Sequence, residues 1–407
     1  MGGRPGTGKA KRSPLISLLV PLAVLILAVY LARAWPRLSL LSRHFPSHHA
    51  STRAMASYAR ELEVAELAVQ RAAILTKRVF HAKAKGTVSK DDKSPVTIGD
   101  FGAQALIISA LKASFPGDEI VAEEEADTLR ADAALQETVW GFVQATKLTD
   151  AGAEALLGGP VENAASMLDL IDLGNSKGGS QGRIWTIDPI DGTSGFLRGG
   201  QYAVCIGLLV DGDVKVGVLG CPNLPVDDSV ALTADIGFNQ TDEGQGVLVS
   251  AAVGRGARSR PLGTGGLADS RAISMRPLED LSSASFCESV DSGHSNQGAA
   301  AQIAEKLGIT RPSVRLDSQA KYASIARGAG DIYLRLPTSK TYQEKIWDHT
   351  AGDLIVREAG GQVTDTLGRR LDFSTGRTLA ENKGIVAAPA AVHGQVLKAV
   401  QEVLGLQ

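Results

Sequence analysis

Trp185-Thr186-Ile187-Asp188-Pro189-Ile190-Asp191-Gly192-Thr193 is the stretch that organises the reading of this chain. Residues 183–187 read as a strand that runs straight into Asp188. Pro189 fixes one φ angle, so a turn follows in which the carboxylates of Asp188 and Asp191 project toward a common point with the Ile190 carbonyl between them. Such a set of hard oxygens suits Mg²⁺, which binds one or two carboxylates and keeps waters for a phosphate. Gly192-Thr193-Ser194-Gly195 then opens a short helix whose backbone N–H groups suit an anion.

A turn of this kind, standing alone, serves equally well as a helix cap. Two further acids shift the balance. Glu123 ends a short strand at Ile120-Val121-Ala122, and Asp348 stands at a helix start after Trp347. Ligands at element ends are where loops converge on a site, and the four acids are expected to meet.

Working outward, residues 60–79 carry Leu62, Ala65, Val69, Ala72 and Leu75 at helical spacing, with Glu61, Glu63, Glu66, Arg71 and Arg78 assigned to the other faces. Asp100 stands at a second helix start, and 126–172 is Ala- and Leu-rich and helical. A hairpin is expected from Tyr202 to Leu219, turning at Asp211-Gly212-Asp213. The stretch from Asp242 to Gly266 reads as a surface excursion, on its Gly and Arg content. Strands alternating with helices around hairpin-like pairs favour an α/β fold of mixed layers over an all-parallel sheet. The chain divides into a basic and apolar segment at 1–55, an α+β domain at 56–280 carrying most of the acids, and an α/β domain at 281–407 carrying Asp348.

Composition narrows the function. A net charge of −2 gives no basic stripe of the kind nucleic-acid binding favours. Three scattered cysteines exclude a disulfide framework and a zinc CxxC pair. No Asp or Glu precedes Glu61, while residues 15–32 are apolar apart from Ser17. Those residues rise about 27 Å as a helix, enough to cross a bilayer with little tilt. A transmembrane anchor through 15–32 and a mitochondrial leader are both expectations for this segment. Initiation at Met55, giving a cytoplasmic protein, is the third.

The strings Ser94-Pro95-Val96-Thr97, Glu123-Glu124, Trp185 to Thr193, and Trp347-Asp348-His349-Thr350-Ala351-Gly352 resemble the inositol-monophosphatase superfamily of Mg²⁺-dependent, lithium-sensitive phosphatases. Within it, IDLGN…GG at 171–179, GFLRGGQYAVCIGLLVDG at 195–212, LDSQAKY at 316–322, YLRLP at 333–337 and YQEKIWDH at 342–349 resemble the 3′(2′),5′-bisphosphate nucleotidases. The likeness runs from about 58 to 395. It implies a layered α-β-α-β-α sandwich and metal ligation of two or three Mg²⁺ ions by Glu123, Asp188, Asp191, Asp348 and the Ile190 carbonyl. It also implies an Asp100–Thr193 pair that activates water, and contacts to a small bisphosphorylated nucleotide from Thr193, His294, Ser318, Lys321 and Arg335. Ala122, Ser194 and Gly200 depart from the usual Gly, Lys and Glu, without removing a ligand.

The implied reaction is removal of the 3′-phosphate from adenosine 3′,5′-bisphosphate, and from its sulfated analogue. Rival expectations are an inositol phosphate phosphatase with the same metal site, and a membrane-tethered protein that binds without catalysis. The Asp-Gly-Thr string is shared with haloacid-dehalogenase-type phosphatases. There, however, the two aspartates are two residues apart and one is the nucleophile, against three here.

Overall fold

The computed structural model describes Gly2 and residues 58–82, 87–89, 95–229, 232, 244–339 and 341–406. The apolar run 15–32 lies outside them, and no described helix is long and apolar enough to cross a membrane.

Helix α1 (Ala59–His81) buries Val64, Ala65, Ala68, Val69, Ala72 and Leu75. Glu63 and Arg78 are exposed as expected, but other polar residues of the helix are not on a solvated face. Glu61, Glu66 and Arg71 are buried as well, paired with Arg183 at 3.0 Å, Arg260 at 3.2 Å and Glu154 at 2.9 Å. Strands β1 (Thr87–Ser89) and β2 (Pro95–Thr97) form an antiparallel ribbon. It leads into α2 (Ile98–Ser114), which opens with a capping box. The Thr97 hydroxyl oxygen accepts from the N–H groups of Gly99 and Asp100, and Asp100 accepts from the Thr97 N–H at 2.9 Å. Strand β3 (Glu119–Ala122) follows, then α3 (Asp127–Ala131), α4 (Ala133–Gln144), α5 (Ala151–Leu156) and α6 (Ala164–Asp172).

Next come β4 (Arg183–Asp191), α7 (Thr193–Arg198), β5 (Ala203–Val210), β6 (Asp213–Pro225), β7 (Gln245–Ala252), β8 (Ala257–Pro261) and β9 (Arg271–Ala272). Strands β3 to β9 lie in sequence order in one sheet, parallel at β3–β4 and antiparallel thereafter. The surface excursion expected at 242–266 is wrong for its greater part, since β7 and β8 fall there. Val247 and Val249 pack on one face of the sheet and Leu248 on the other, all buried. A strand covered on both faces is apolar without alternation, and the Gly and Arg residues that follow β7, from Gly254 to Arg260, masked that signal.

The remaining elements are β10 (Phe286–Glu288), α8 (Gln297–Lys306), β11 (Val314–Arg315), α9 (Ala320–Ala326), β12 (Ile332–Arg335), α10 (Thr350–Glu358), β13 (Gly361–Thr364), β14 (Ile385–Pro389) and α11 (Ala390–Leu404). Their strands form a second sheet in the order β11-β10-β12-β14-β13. Cys287, Tyr333, Ile385 and Ala387 face a core shared with Tyr322 of α9, Leu354 of α10 and Val249 of the first sheet. Phe286, Ile332, Leu334 and Val386 face α8 and α11 on the other side. Helices α1 and α2, the first sheet, α9 and α10, the second sheet, and α8 and α11 thus stack as the expected α-β-α-β-α sandwich. Residues 55–407 form one compact unit containing both sheets.

The seat of α10 sets the position of Asp348, which lies just before it. Gly207 of β5 pairs directly with Gly217 of β6. A Cβ on Gly217 would stand 2.6 Å from the Ala351 carbonyl oxygen, and one on Gly207 would stand 2.4 Å from Thr350 Cγ2. The paired glycines let the first turn of α10 rest on the sheet. Gly217→Ala is expected to cost about 1–3 kcal/mol through overpacking, and to lower turnover by displacing Asp348. Denaturant unfolding and a steady-state assay check both; an unchanged midpoint would contradict this role.

Candidate active site

The site is built on the end of β4. Its pairing with β5 runs through Asp188–Cys205 and resumes at Asp191–Ala203, so three steps on β4 oppose two on β5. The expected turn is therefore a bulge within the strand, one that re-aims side chains. Ile190 packs into the core, while its carbonyl oxygen accepts from the Thr193 hydroxyl at 3.1 Å. Gly192, at φ +85°, starts α7, and a Cβ there would press within 2.9 Å of Ser318 Cβ. Ser318 is itself left-handed, at φ 65°.

Gln319 holds the corner together, a part not singled out by the sequence reading although it lies within LDSQAKY. Its backbone N–H donates to Asp191 Oδ2 at 2.6 Å. Its side-chain amide donates to the Trp347 carbonyl at 2.8 Å and accepts from Gly352 N–H at 3.1 Å. The end of β4, the start of α9 and the 3₁₀ turn at Ile346–Asp348 are thereby joined through one buried residue.

These segments enclose a cavity of about 230 Å³. Glu123, Asp188, Ile190, Asp191, Thr193 and Asp348 line it, together with His294, Ser318, Lys321 and Arg335. Asp317, Tyr342, Lys345 and Trp347 also line it and were missed as individual residues. Asp100 does not line the cavity. It is fully buried at the α2 cap, and its charge acts on Asp188.

Burial is the main force on these acids. It pushes Asp188 well above the usual carboxylate range, and the charges of Glu123, Asp191, Asp348 and Asp100 push the same way. Burial also raises Asp348, with Asp191 adding and Arg335 opposing. Asp191 rises to about 6, held there by Lys321, the Gln319 N–H and Arg335 against the burial effect. Asp188 Oδ1 is buried with no hydrogen-bond partner among the described residues. A buried, unpartnered carboxylate oxygen is costly, and that oxygen, beside the other acids of the cavity, fits a divalent cation.

A tighter trio exists beside it. Ligating atoms of Glu344, Asp348 and His349 lie within 4.8 Å of one another. Arg335 already occupies that position, with Nε 2.8 Å from Glu344 and Nη2 3.8 Å from Asp348. His349 contacts Glu344 at 3.3 Å and the Tyr322 hydroxyl at 2.9 Å, a structural role like that of Thr350, which donates to the Ile346 carbonyl. Glu344 and Asp348 thus anchor Arg335.

On the basic side, burial lowers the Lys321 pKa, opposed by Asp191 and Asp317. Its Nζ donates to the Leu316 carbonyl at 3.3 Å and lies 5.4 Å above the Tyr333 ring. Burial, then Arg335, lowers the pKa of His294 and favours its neutral form. Ser318 Oγ accepts from the Ala320 N–H at 3.0 Å.

The layered fold and an acid-lined cavity with cations opposite define a metal-dependent phosphatase. The model of the inositol monophosphatase family matches residues 58–404, and the chain belongs to that family. It is 66% identical over 351 residues to a 3′(2′),5′-bisphosphate nucleotidase of Emericella nidulans, covering 86% of this chain and 100% of the relative. Against the enzyme of that name from Schizosaccharomyces pombe, identity is 46% over 353 residues, covering 85% and 96%. Among solved structures, an IMPase of Thermotoga maritima superposes with a TM-score of 0.53 at 21% identity, over 85% of this chain and 98% of that one. At that identity the likeness concerns the fold.

Asp191 makes stability depend on pH. Its folded pKa, about 6, lies above the ordinary aspartate value of 3.8. Its stabilising contribution is complete below about pH 4 and is lost as pH rises through about 6. In chelator, the melting temperature is expected to fall between about pH 4.5 and 7. Mg²⁺ should restore more at about pH 7 than at about pH 5, because cations replace protons among the carboxylates. An equal Mg²⁺ gain at both pH values would contradict this electrostatic picture.

Proposed function

We propose that the chain hydrolyses the 3′-phosphate of adenosine 3′,5′-bisphosphate, giving AMP and inorganic phosphate, and acts likewise on 3′-phosphoadenylyl sulfate. One observation carries the reading. A single cavity sets Glu123, Asp188, Asp191 and Asp348 together with Lys321 and Arg335. A substrate with two phosphates needs both groups, one for the phosphate that leaves and one for the phosphate that stays. The relatives at 66% and 46% identity, both 3′(2′),5′-bisphosphate nucleotidases, support it.

Glu123, Asp188, Asp191, Asp348 and the Ile190 carbonyl would hold two or three Mg²⁺ ions. That carbonyl has a second lone pair to give beside its bond from Thr193. Bound there, magnesium lowers the pKa of water and neutralises charge on the phosphoryl oxygens. Thr193 donates its hydroxyl proton and so presents oxygen lone pairs that orient the attacking water. Asp100, fixed by the Thr97 N–H behind the cavity, is the second member of that pair by resemblance and would act through its charge, since the Thr193 hydroxyl donates to the Ile190 carbonyl. Attack in line with the P–O3′ bond breaks it, and the ribose oxygen leaves and is protonated. Lys321 and Arg335 grip the retained phosphate, while Ser318 and His294 contact the sugar.

Full-length protein with Mg²⁺ is expected to release phosphate from adenosine 3′,5′-bisphosphate in preference to inositol monophosphate, and lithium should inhibit it. The reverse preference would overturn the substrate assignment. Asp191→Asn keeps an acceptor for the Gln319 N–H while removing one charge. Loss of about 3 kcal/mol of transition-state stabilisation, a hundredfold or more in kcat, is expected with no loss of melting temperature in chelator. Retained turnover would remove Asp191 from the ligand set. Residues 15–32 are proposed as an anchor or leader, with initiation at Met55 as the alternative; a mature N-terminus beyond residue 32 would overturn the anchor.

A further inference from the structure

We infer that Arg377 is a positioning residue for the metal site, tying the segment that ends in Glu123 to the turn that ends in Asp348; the inference rests on the phosphatase reading of the cavity. Arg377 lies in the connection between β13 and β14, away from every string that marked the site in the sequence.

Its guanidinium gathers three main-chain carbonyls. It donates to Ala122 at 2.6 Å, to Ser176 at 3.0 Å and to Gly174 at 3.3 Å. Ala122 is the residue immediately before Glu123. The same guanidinium lies 4.8 Å from the centre of the Trp347 ring, and Trp347 immediately precedes Asp348. An Arg fork stacks on an aromatic face and donates in its own plane at the same time, which a Lys ammonium does not do.

The loop that carries Arg377 is laced to the same turn by its backbone. Leu379 N–H donates to the Glu344 carbonyl at 2.8 Å, and Ile346 N–H to the Arg377 carbonyl at 3.2 Å. On its other side, a Cβ on Gly178 would stand 2.9 Å from the Gly376 carbonyl oxygen. This gives the glycine-rich loop at 174–182 a place in the site, since its carbonyls turn toward Arg377 instead of toward substrate. With Gln319 holding the Trp347 carbonyl from the Asp191 side, Arg377 completes a brace. Three chain segments that repel one another through their acids are thereby held in a fixed frame. Partners that orient metal ligands from behind are worth about 10–100-fold in metal affinity.

The test is Mg²⁺ binding by chelator-treated full-length protein, measured calorimetrically for the wild type, Arg377→Met and Arg377→Lys. Melting in chelator and steady-state kinetics accompany it. Arg377→Met is expected to weaken Mg²⁺ binding about tenfold or more. Its KM for the bisphosphate at saturating Mg²⁺ should stay unchanged, because Arg377 touches no substrate. Arg377→Lys, keeping the charge without the fork, should fall between. Unaltered Mg²⁺ affinity in either folded variant would overturn the inference, as would failure of both to fold, which would make Arg377 a general structural strut. A wild type that binds no Mg²⁺ would instead overturn the phosphatase reading.

Discussion

Mutual repulsion among buried carboxylates is the constraint around which this structure is arranged. Glu123, Asp188, Asp191 and Asp348 come from separate parts of the chain and line one cavity. Burial, the leading cause, and their shared charge lift Asp188, Asp191 and Asp348 above the normal range. Two unit charges 4 Å apart repel by about 4 kcal/mol at an effective dielectric of 20. No packing of these side chains is favourable on its own terms, so the surrounding framework must hold them until cations arrive.

The framework does so with close backbone approaches and with hydrogen bonds to main-chain atoms. A bulge in β4 turns the Asp188–Asp191 segment. Gly207 and Gly217 let α10 settle on the first sheet. Gln319 and Arg377 hydrogen-bond to carbonyls beside the acids, apart from the Gln319 N–H on Asp191, while the Arg377 charge also acts on Glu123 and Glu125. Asp188 Oδ1 is left without a hydrogen-bond partner among the described residues. The neighbouring trio of Glu344, Asp348 and His349 is arranged differently, its acids turned to Arg335. The two clusters share Asp348: Glu344 on one side of it is balanced by a protein cation, while Glu123, Asp188 and Asp191 on the other suit an external one.

Much of this was legible in the residues. Strand β4 running into Asp188, the helix start at Asp100, the hairpin at 203–219 and the short strand before Glu123 each carried a local signal. The signals are strong because propensity, capping and polarity agree at those places. Strand β7 was not legible because a strand buried on both faces lacks alternation, and β8 because its alternation, in ARSRP, is carried by small residues against arginines beside glycines. Glu61, Glu66 and Arg71 misled because helix periodicity predicts one buried stripe, and long-range ion pairs bury the others. Gln319 and Arg377 act through main-chain atoms of distant segments, and no spacing rule reaches across 255 residues from Arg377 to Ala122. The bulge in place of a turn depends on the pairing partner, Ala203, which the local sequence does not specify.

The central claim is that the carboxylate cavity, and not the Arg335-bound trio beside it, takes the divalent ions. Crystals grown with Mn²⁺ as an anomalous stand-in for Mg²⁺ test this most directly. The account predicts anomalous peaks within coordination distance of Glu123, Asp188, Asp191 and Asp348, with Arg335 still paired to Glu344. A cavity without a peak, or a single peak at Glu344 and His349, would contradict it.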